Sequence, residues 1–339
     1  MQCPKITHVA WERLPREGKE HLIDFEIEKK IILEGGGYGS GRRYLYLLWM
    51  IRVFFFSFTI KKSEIVWALG FESAFPLLLA SKIKGFKLCF DDADRFSMLV
   101  KNKTLRFLIQ KLEVFTSHNV FKHIIPSVER YNFKSNTFCL VNNIPSKDAL
   151  KKAKNIYDHK IWKEFKMTIN INGWLSKSRG IGIILEICDR LREEDIGFVM
   201  AGKLDCEEAI LLSKKENVQY LGQISNEEAL ATYFTSDFVF TYYDPSSEIN
   251  RYAASNKWGD ALKTGVAIIV NKEVVSSKKL LEKKVAIGFN YNDIEGLVSE
   301  IISLSSNRSH ISTIKNRAFE LGKNLPYFDD NIKKIFSLG

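Results

Sequence analysis

Asp244-Pro-Ser-Ser-Glu-Ile-Asn-Arg-Tyr-Ala-Ala-Ser-Asn-Lys-Trp-Gly-Asp-Ala-Leu-Lys-Thr-Gly265 lies between two short apolar runs, Phe238 to Tyr242 and Ala267 to Val270. The runs have the length and the aromatic and β-branched content of buried strands. Between them, Ser255 or Asn256 can cap a helix over Lys257 to Thr264, and Gly265 can close it. Strand, polar loop, helix and strand in that order form a parallel unit, because parallel strands need a crossover between them.

The same alternation extends in both directions. Upstream, strands are predicted at Met167 to Ile171, Gly197 to Ala201 and Val218 to Leu221, with helices at Ile181 to Arg192 and Asn226 to Phe234. The first half gives strands near Ile6 to Trp11, Lys29 to Leu33, Glu64 to Leu69, Lys87 to Phe90, His123 to Pro126 and Thr137 to Val141. Helices near Arg42 to Phe58, Phe75 to Ile83 and Thr104 to Thr116 separate them. The class is α/β with doubly wound sheets.

A chain of 339 residues exceeds what one core usually supports. The turn-forming run Asn142-Asn-Ile-Pro-Ser-Lys, followed by a lysine-rich stretch from Lys147 to Lys166 that reads as a linker, marks a boundary. The expected organisation is a first domain over 1–150, a second over 151–311, and a helical tail over 312–339 that packs back on the first.

Lys and Arg total 50 against 40 Asp and Glu, a net charge of +10 that attracts phosphates, nucleic acid or anionic lipid. No nucleic-acid recognition motif or base-stacking pattern accompanies the charge, so that partner is set aside. Cys3, Cys89, Cys139, Cys188 and Cys206 include no Cys-x-x-Cys pair and read as reduced thiols. With no apolar signal segment after Met1, the expected location is cytoplasmic, at the inner face of the plasma membrane where a membrane is involved. Tyr44 to Ile60 is almost wholly apolar but is interrupted by Arg52. A spanning helix needs about 20 apolar residues, and a central arginine costs about 2.5–3.5 kcal/mol, so a transmembrane segment is rejected. A helix buried on a sheet and a helix touching a bilayer surface both remain open.

In open parallel sheets ligands bind at the carboxyl ends of strands. After Ile171 comes Asn172-Gly-Trp-Leu-Ser-Lys-Ser-Arg-Gly-Ile181, in which Gly173 permits close backbone approach and Lys177 and Arg179 precede a helix N-terminus. Two cations and a helix end suit a diphosphate; a solvated basic turn is the alternative. After Tyr242, the N-terminus of the helix at Asn256 and the charge of Lys257 make a second phosphate site. Asp260, four residues after Asn256 and three after Lys257, shares their face and can accept both hydroxyls of a ribose.

These residues resemble the GT4-like retaining glycosyltransferases of the GT-B fold. That group shows Gly-Arg-Leu, a short gap and Lys-Gly before a helix, where this chain has Gly173-Trp-Leu-Ser-Lys-Ser-Arg179-Gly180. Ala201-Gly202, Leu221-Gly222, Asn256-Lys257-x-x-Asp260 and Gly265-Val-Ala-Ile-Ile continue the pattern. Pro245-Ser-Ser-Glu-Ile-Asn250 before the Asn-Lys pair is similar to a surface-polysaccharide branch. The resemblance covers about residues 137 to 272. It implies two Rossmann-like domains facing a central cleft; against the family pattern the N-terminus reads as short, as if the first domain lacked its opening β-α unit. It also implies a nucleotide-sugar donor and a glycan or lipid-linked acceptor, with no cofactor and no metal.

Arg179 and Lys257 are then the groups that stabilise the leaving diphosphate. Gly173, Lys177, Gly202, Asn250, Ser255, Asn256 and Asp260 complete the donor site, and Asp92 and Asp94 lie on the acceptor side. Two positions depart from the family: Trp174 replaces its usual arginine, and Tyr252 with Asp260 replaces its pair of glutamates. Those departures, with the short N-terminus, suggest an inactive partner subunit of the same fold as one rival; a sugar-nucleotide epimerase on the same fold is another. The Gly35 to Gly41 loop lacks a P-loop ending, and basic residues from Lys82 to Lys111 suit an anionic membrane.

Overall fold

A computed structural model describes residues 6–13, 27–36, 42, 44–159 and 165–337. The chain forms two compact units: one of Met1–Ile125 with Phe133–Cys139, the other of Pro126–Asn132 with Leu140–Gly339.

In the first unit, β1 (Ile6–Glu12) pairs parallel with β2 (Ile27–Glu34). Residues 14–26, where a first crossover would run, lie outside the described residues, as do 37–41 of the glycine loop. The unit continues with α1 (Tyr44–Phe56), β3 (Ile65–Leu69), α2 (Phe71–Lys84), β4 (Lys87–Asp91), α3 (Lys103–Asn119), β5 (Lys122–Ile125) and β6 (Phe138–Leu140). Strands β3-β4-β5-β6 form one sheet in that order. Trp49 and Val53 of α1, Phe71 and Leu78 of α2, and Leu88 and Phe90 of β4 share its core. Helix α2 starts four residues before the predicted Phe75 and runs through Pro76. Among the described residues no helix is long and apolar enough to cross a membrane.

The second unit opens with α4 (Lys147–His159), so the first part of the lysine-rich stretch is not a linker. Alternating lysines hid an amphipathic face: Ala153 is buried, and Ala149, Leu150, Ile156 and Tyr157 pack on the unit's core. The sheet comprises β7 (Met167–Asn172), β8 (Ile196–Ala201), β9 (Val218–Tyr220), β10 (Phe238–Thr241), β11 (Ala267–Asn271) and β12 (Ala286–Phe289). Its strand order is β9-β8-β7-β10-β11-β12. Every pairing is parallel, and the order reverses between β7 and β10. The sequence reading stopped at β11 and missed β12, whose four residues are only half-buried and carry a glycine.

The covering helices are α5 (Ile181–Arg190), α6 (Glu207–Leu212), α7 (Asn226–Ala231), α8 (Glu248–Arg251), α9 (Asn256–Thr264), α10 (Lys278–Glu282), α11 (Ile294–Ser305), α12 (Arg308–Lys323) and α13 (Phe328–Ser337). The predicted helical tail is thus two helices. Lys147, at the start of α4, donates its backbone N–H to Asp329 and pairs its ammonium with Asp330 of α13 at 2.8 Å.

Candidate functional site

A crevice forms at the carboxyl edge of a doubly wound sheet where its strand order reverses. In the second unit that point lies between the loops following β7 and β10. Gly173, directly after β7, has φ +108° and donates its N–H to Ala201 O at 2.9 Å, which ties it to the end of β8. Gly202 follows β8 with φ +133°, and a Cβ there would stand 1.8 Å from Gly173 O. A side chain at Gly202 would displace the Gly173 loop, and one at Gly173 would be strained by its left-handed backbone.

The chain then turns through Ser176 into a short 3-10 segment, Lys177–Arg179, and Gly180 leads into α5. This turn is anchored from the other side of the switch point. Asp244 N–H donates to Ser178 O at 3.1 Å, and the buried Asn250 donates its amide to Asp244 O and Ser178 O at 3.0 and 3.4 Å. So held, the Arg179 guanidinium lies 4.6 Å over the ring of Tyr243, just past β10. Tyr243 is clamped in turn by the fully buried Asn271, whose side chain bonds both its N–H and its carbonyl.

Helix α9 brings its N-terminus to the same edge. Trp258 is buried and donates its indole N–H to Thr241 at the end of β10, 2.9 Å away. One turn face carries Gly259, where a Cβ would stand 1.8 Å from Asn143 O, so the helix lies directly on that backbone. Lys257 therefore projects toward Gly173: a Cβ built there would be 3.5 Å from Lys257 Cε and 4.0 Å from its Nζ. Ser255 is the N-cap but makes no capping bond through its side chain; Trp258 N–H bonds the Ser255 carbonyl at 3.2 Å, and the N–H groups of Asn256 and Lys257 open the helix.

The electrostatics match an anion site. Burial, together with the nearby Arg179 charge, pushes the Lys257 ammonium down to about 8, opposed by Asp260. Burial pushes the Asp260 carboxyl up to about 7, opposed by Lys257. Lys257 and Arg179 are close enough to repel each other, an arrangement that a polyanion between them would relieve.

Lys177 is exposed and pairs with Glu208 of α6 at 2.9 Å, which raises its pKa. Asn256 is exposed, Asn250 serves the turn, and Gly202 backs Gly173. Trp174, at the departure from the family pattern, is 56% exposed. In the first unit, Asp94 is exposed at the end of β4. Asp92 is enclosed, with one carboxylate oxygen 3.6 Å from His123 Nε2, and the His123 ring stacks on Phe90 at 4.2 Å. Among the described residues no group of three or more His, Cys, Asp or Glu gathers for a metal. Sequence reasoning missed Tyr243 and Asn271, though each stands at the carboxyl end of a predicted strand, where the sheet rule directs attention.

No family model and no curated protein matches the chain. Solved structures do. Sucrose-phosphate synthase from Thermosynechococcus elongatus superposes with TM-score 0.68 at 12% identity, over 98% of this chain and 87% of its own. The Anabaena protein HepE in complex with UDP gives TM-score 0.68 at 11% identity, over 99% of both chains. The fold is GT-B. A protein described as a UDP-N-acetylglucosamine 2-epimerase from Listeria monocytogenes also matches, with TM-score 0.51 at 15% identity over 85% of this chain and 82% of its own.

Proposed function

We propose that the chain is a GT4-like, retaining glycosyltransferase of cell-surface polysaccharide synthesis. It moves a sugar from a nucleoside diphosphate to a glycan or lipid-linked acceptor, without a resident metal. The observation that carries this reading is the Lys257 side chain set against Gly173, at a helix N-terminus and beside Arg179, where the strand order reverses. The likeness to a protein crystallised with UDP favours uridine as the nucleoside.

In this reading the pyrophosphate rests on Gly173 and the first N–H groups of α9. Lys257 and Arg179 take up the charge that grows on the leaving oxygen as the glycosidic bond breaks. Asp260, one turn further on, accepts the ribose hydroxyls. Asn250 and Tyr243 position the turn and the guanidinium. Of the acceptor-side pair, Asp94 is the one a hydroxyl can reach, and the acceptor brings the protein to an anionic membrane.

The test is product analysis with a labelled UDP-sugar panel and a membrane extract as acceptor. Label transferred to glycan or lipid with its anomeric configuration kept, and undiminished by chelator, supports the proposal. Free epimerised nucleotide sugar would replace it with the epimerase reading. Calorimetry showing no heat with any nucleoside diphosphate would leave an inactive partner subunit.

A further inference from the structure

Helices α2 and α3 are successive crossovers of one parallel sheet and so cover the same face; α1 packs beside α2, and α2 beside α3. The outer side of this layer is not polar. Along α1, Tyr44, Leu47, Ile51 and Phe55 recur three or four residues apart and are 65%, 61%, 45% and 68% exposed. A groove lined by Ile51 and Phe55 of α1 with Phe75, Pro76 and Leu79 of α2 extends the apolar stripe across the layer. Ile83 continues it along α2, and Leu105, Leu108 and Phe115 of α3 are also exposed.

The charges on the same three helices are one-sided. Arg52, Lys82, Lys84, Lys103, Arg106 and Lys111 are cationic, against Glu72 and Glu113. Both acids are turned inward. Glu113 is buried, bonded by Arg95 and Ser97, and burial raises the pKa of each carboxyl. Single exposed apolar residues are ordinary, but a contiguous stripe with a cationic rim and no outward acid is the composition of a surface that enters the headgroup region. A second copy of the chain would set like charges against each other, which argues against self-association through this face.

We propose that the α1–α2–α3 face of the first unit is a docking surface for an anionic lipid bilayer. Tyr44, Leu47, Ile51 and Phe55 enter the headgroup boundary, and Lys82, Lys103 and Lys111 contact lipid phosphates. This deepens the partner reading above and rests on it for purpose only, since a lipid-linked acceptor resides at such a surface.

The experiment is co-sedimentation of the whole chain with vesicles of phosphatidylglycerol and phosphatidylcholine, and with phosphatidylcholine alone. Two variants are compared, Leu47→Gln/Ile51→Gln/Phe55→Gln and Lys82→Glu/Lys103→Glu/Lys111→Glu. Binding to the mixed vesicles is expected, and the charge variant should lose on the order of 100-fold in partitioning, at roughly fivefold for each cation near an anionic surface. The apolar variant should lose at least about tenfold. Both should keep the parent's circular dichroism and its thermal shift with UDP. No binding to the mixed vesicles, equal binding to phosphatidylcholine alone, or a charge variant that binds like the parent would overturn the proposal. So would a lipid-free dimer in sedimentation velocity that the apolar variant dissolves. Vesicle binding with no UDP shift would leave this surface standing and remove the transferase reading instead.

Discussion

Lys257→Met separates the cost of the phosphate site from its use. In the folded protein the ammonium titrates at about 8 in place of 10.5, because burial and Arg179 disfavour its charge. At about 1.4 kcal/mol per pKa unit, that shift amounts to roughly 3 kcal/mol of folding free energy lost to keeping the lysine charged. Part of this returns in the variant, because Asp260 loses the cation that holds its carboxyl down. The net gain is roughly 1–2 kcal/mol, or a few degrees in the midpoint of a unit this size. The sign is fixed by linkage. A lysine with a depressed folded value destabilises fully below about 8 and ceases to do so as pH rises through 10.5. Methionine should therefore raise the unliganded midpoint at pH near 7, and the advantage should fade in alkali. With UDP the order reverses, since a charge-assisted hydrogen bond contributes about 1.5–3 kcal/mol and its loss weakens Kd roughly 10- to 100-fold. Differential scanning fluorimetry with and without UDP reads both effects. A variant less stable than the parent at neutral pH, yet equally shifted by UDP, would show that Lys257 is neither strained by burial nor in contact with the phosphate.

UDP affinity should peak between the Asp260 value of about 7 and the Lys257 value of about 8. Calorimetry across that range should show binding fall in alkali as the ammonium deprotonates, and in acid as the carboxylate protonates; Asp260→Asn should flatten the acid limb. Gly202→Ala puts a Cβ at 1.8 Å from Gly173 O in a left-handed backbone, so urea unfolding should show a loss of roughly 2–4 kcal/mol along with the UDP shift. Glu113→Ala leaves the buried Arg95 without its 3.0 Å partner and should destabilise the first unit by about 3–5 kcal/mol, with UDP binding unchanged.

Most of the second unit was legible because its strands are uniformly buried and therefore read as unbroken apolar runs. β12 and α6 were not: one is half-buried, and the other is only six residues long. α4 was misread because its lysines dominate the composition while one narrow stripe packs inward. Within the candidate site, residue type and spacing point to Lys257, Asp260 and Arg179, and the fold brings the three close enough for Lys257 to feel both other charges. The tie of Lys177 to Glu208 was not readable, since it depends on where α6 falls in space. Asn250 shows the same limit from the other side: it was picked as a ligand contact, and its amide is occupied by two backbone carbonyls of the turn it anchors.

A crystal structure of the protein with UDP would show whether a diphosphate binds at the strand-order switch of the second unit. The β-phosphate should lie within hydrogen-bonding distance of Lys257 Nζ and the first N–H groups of α9, and close to Gly173, with the ribose at Asp260. UDP bound elsewhere on the chain, with Lys257 turned away from it, would rule out a phosphate site at this switch.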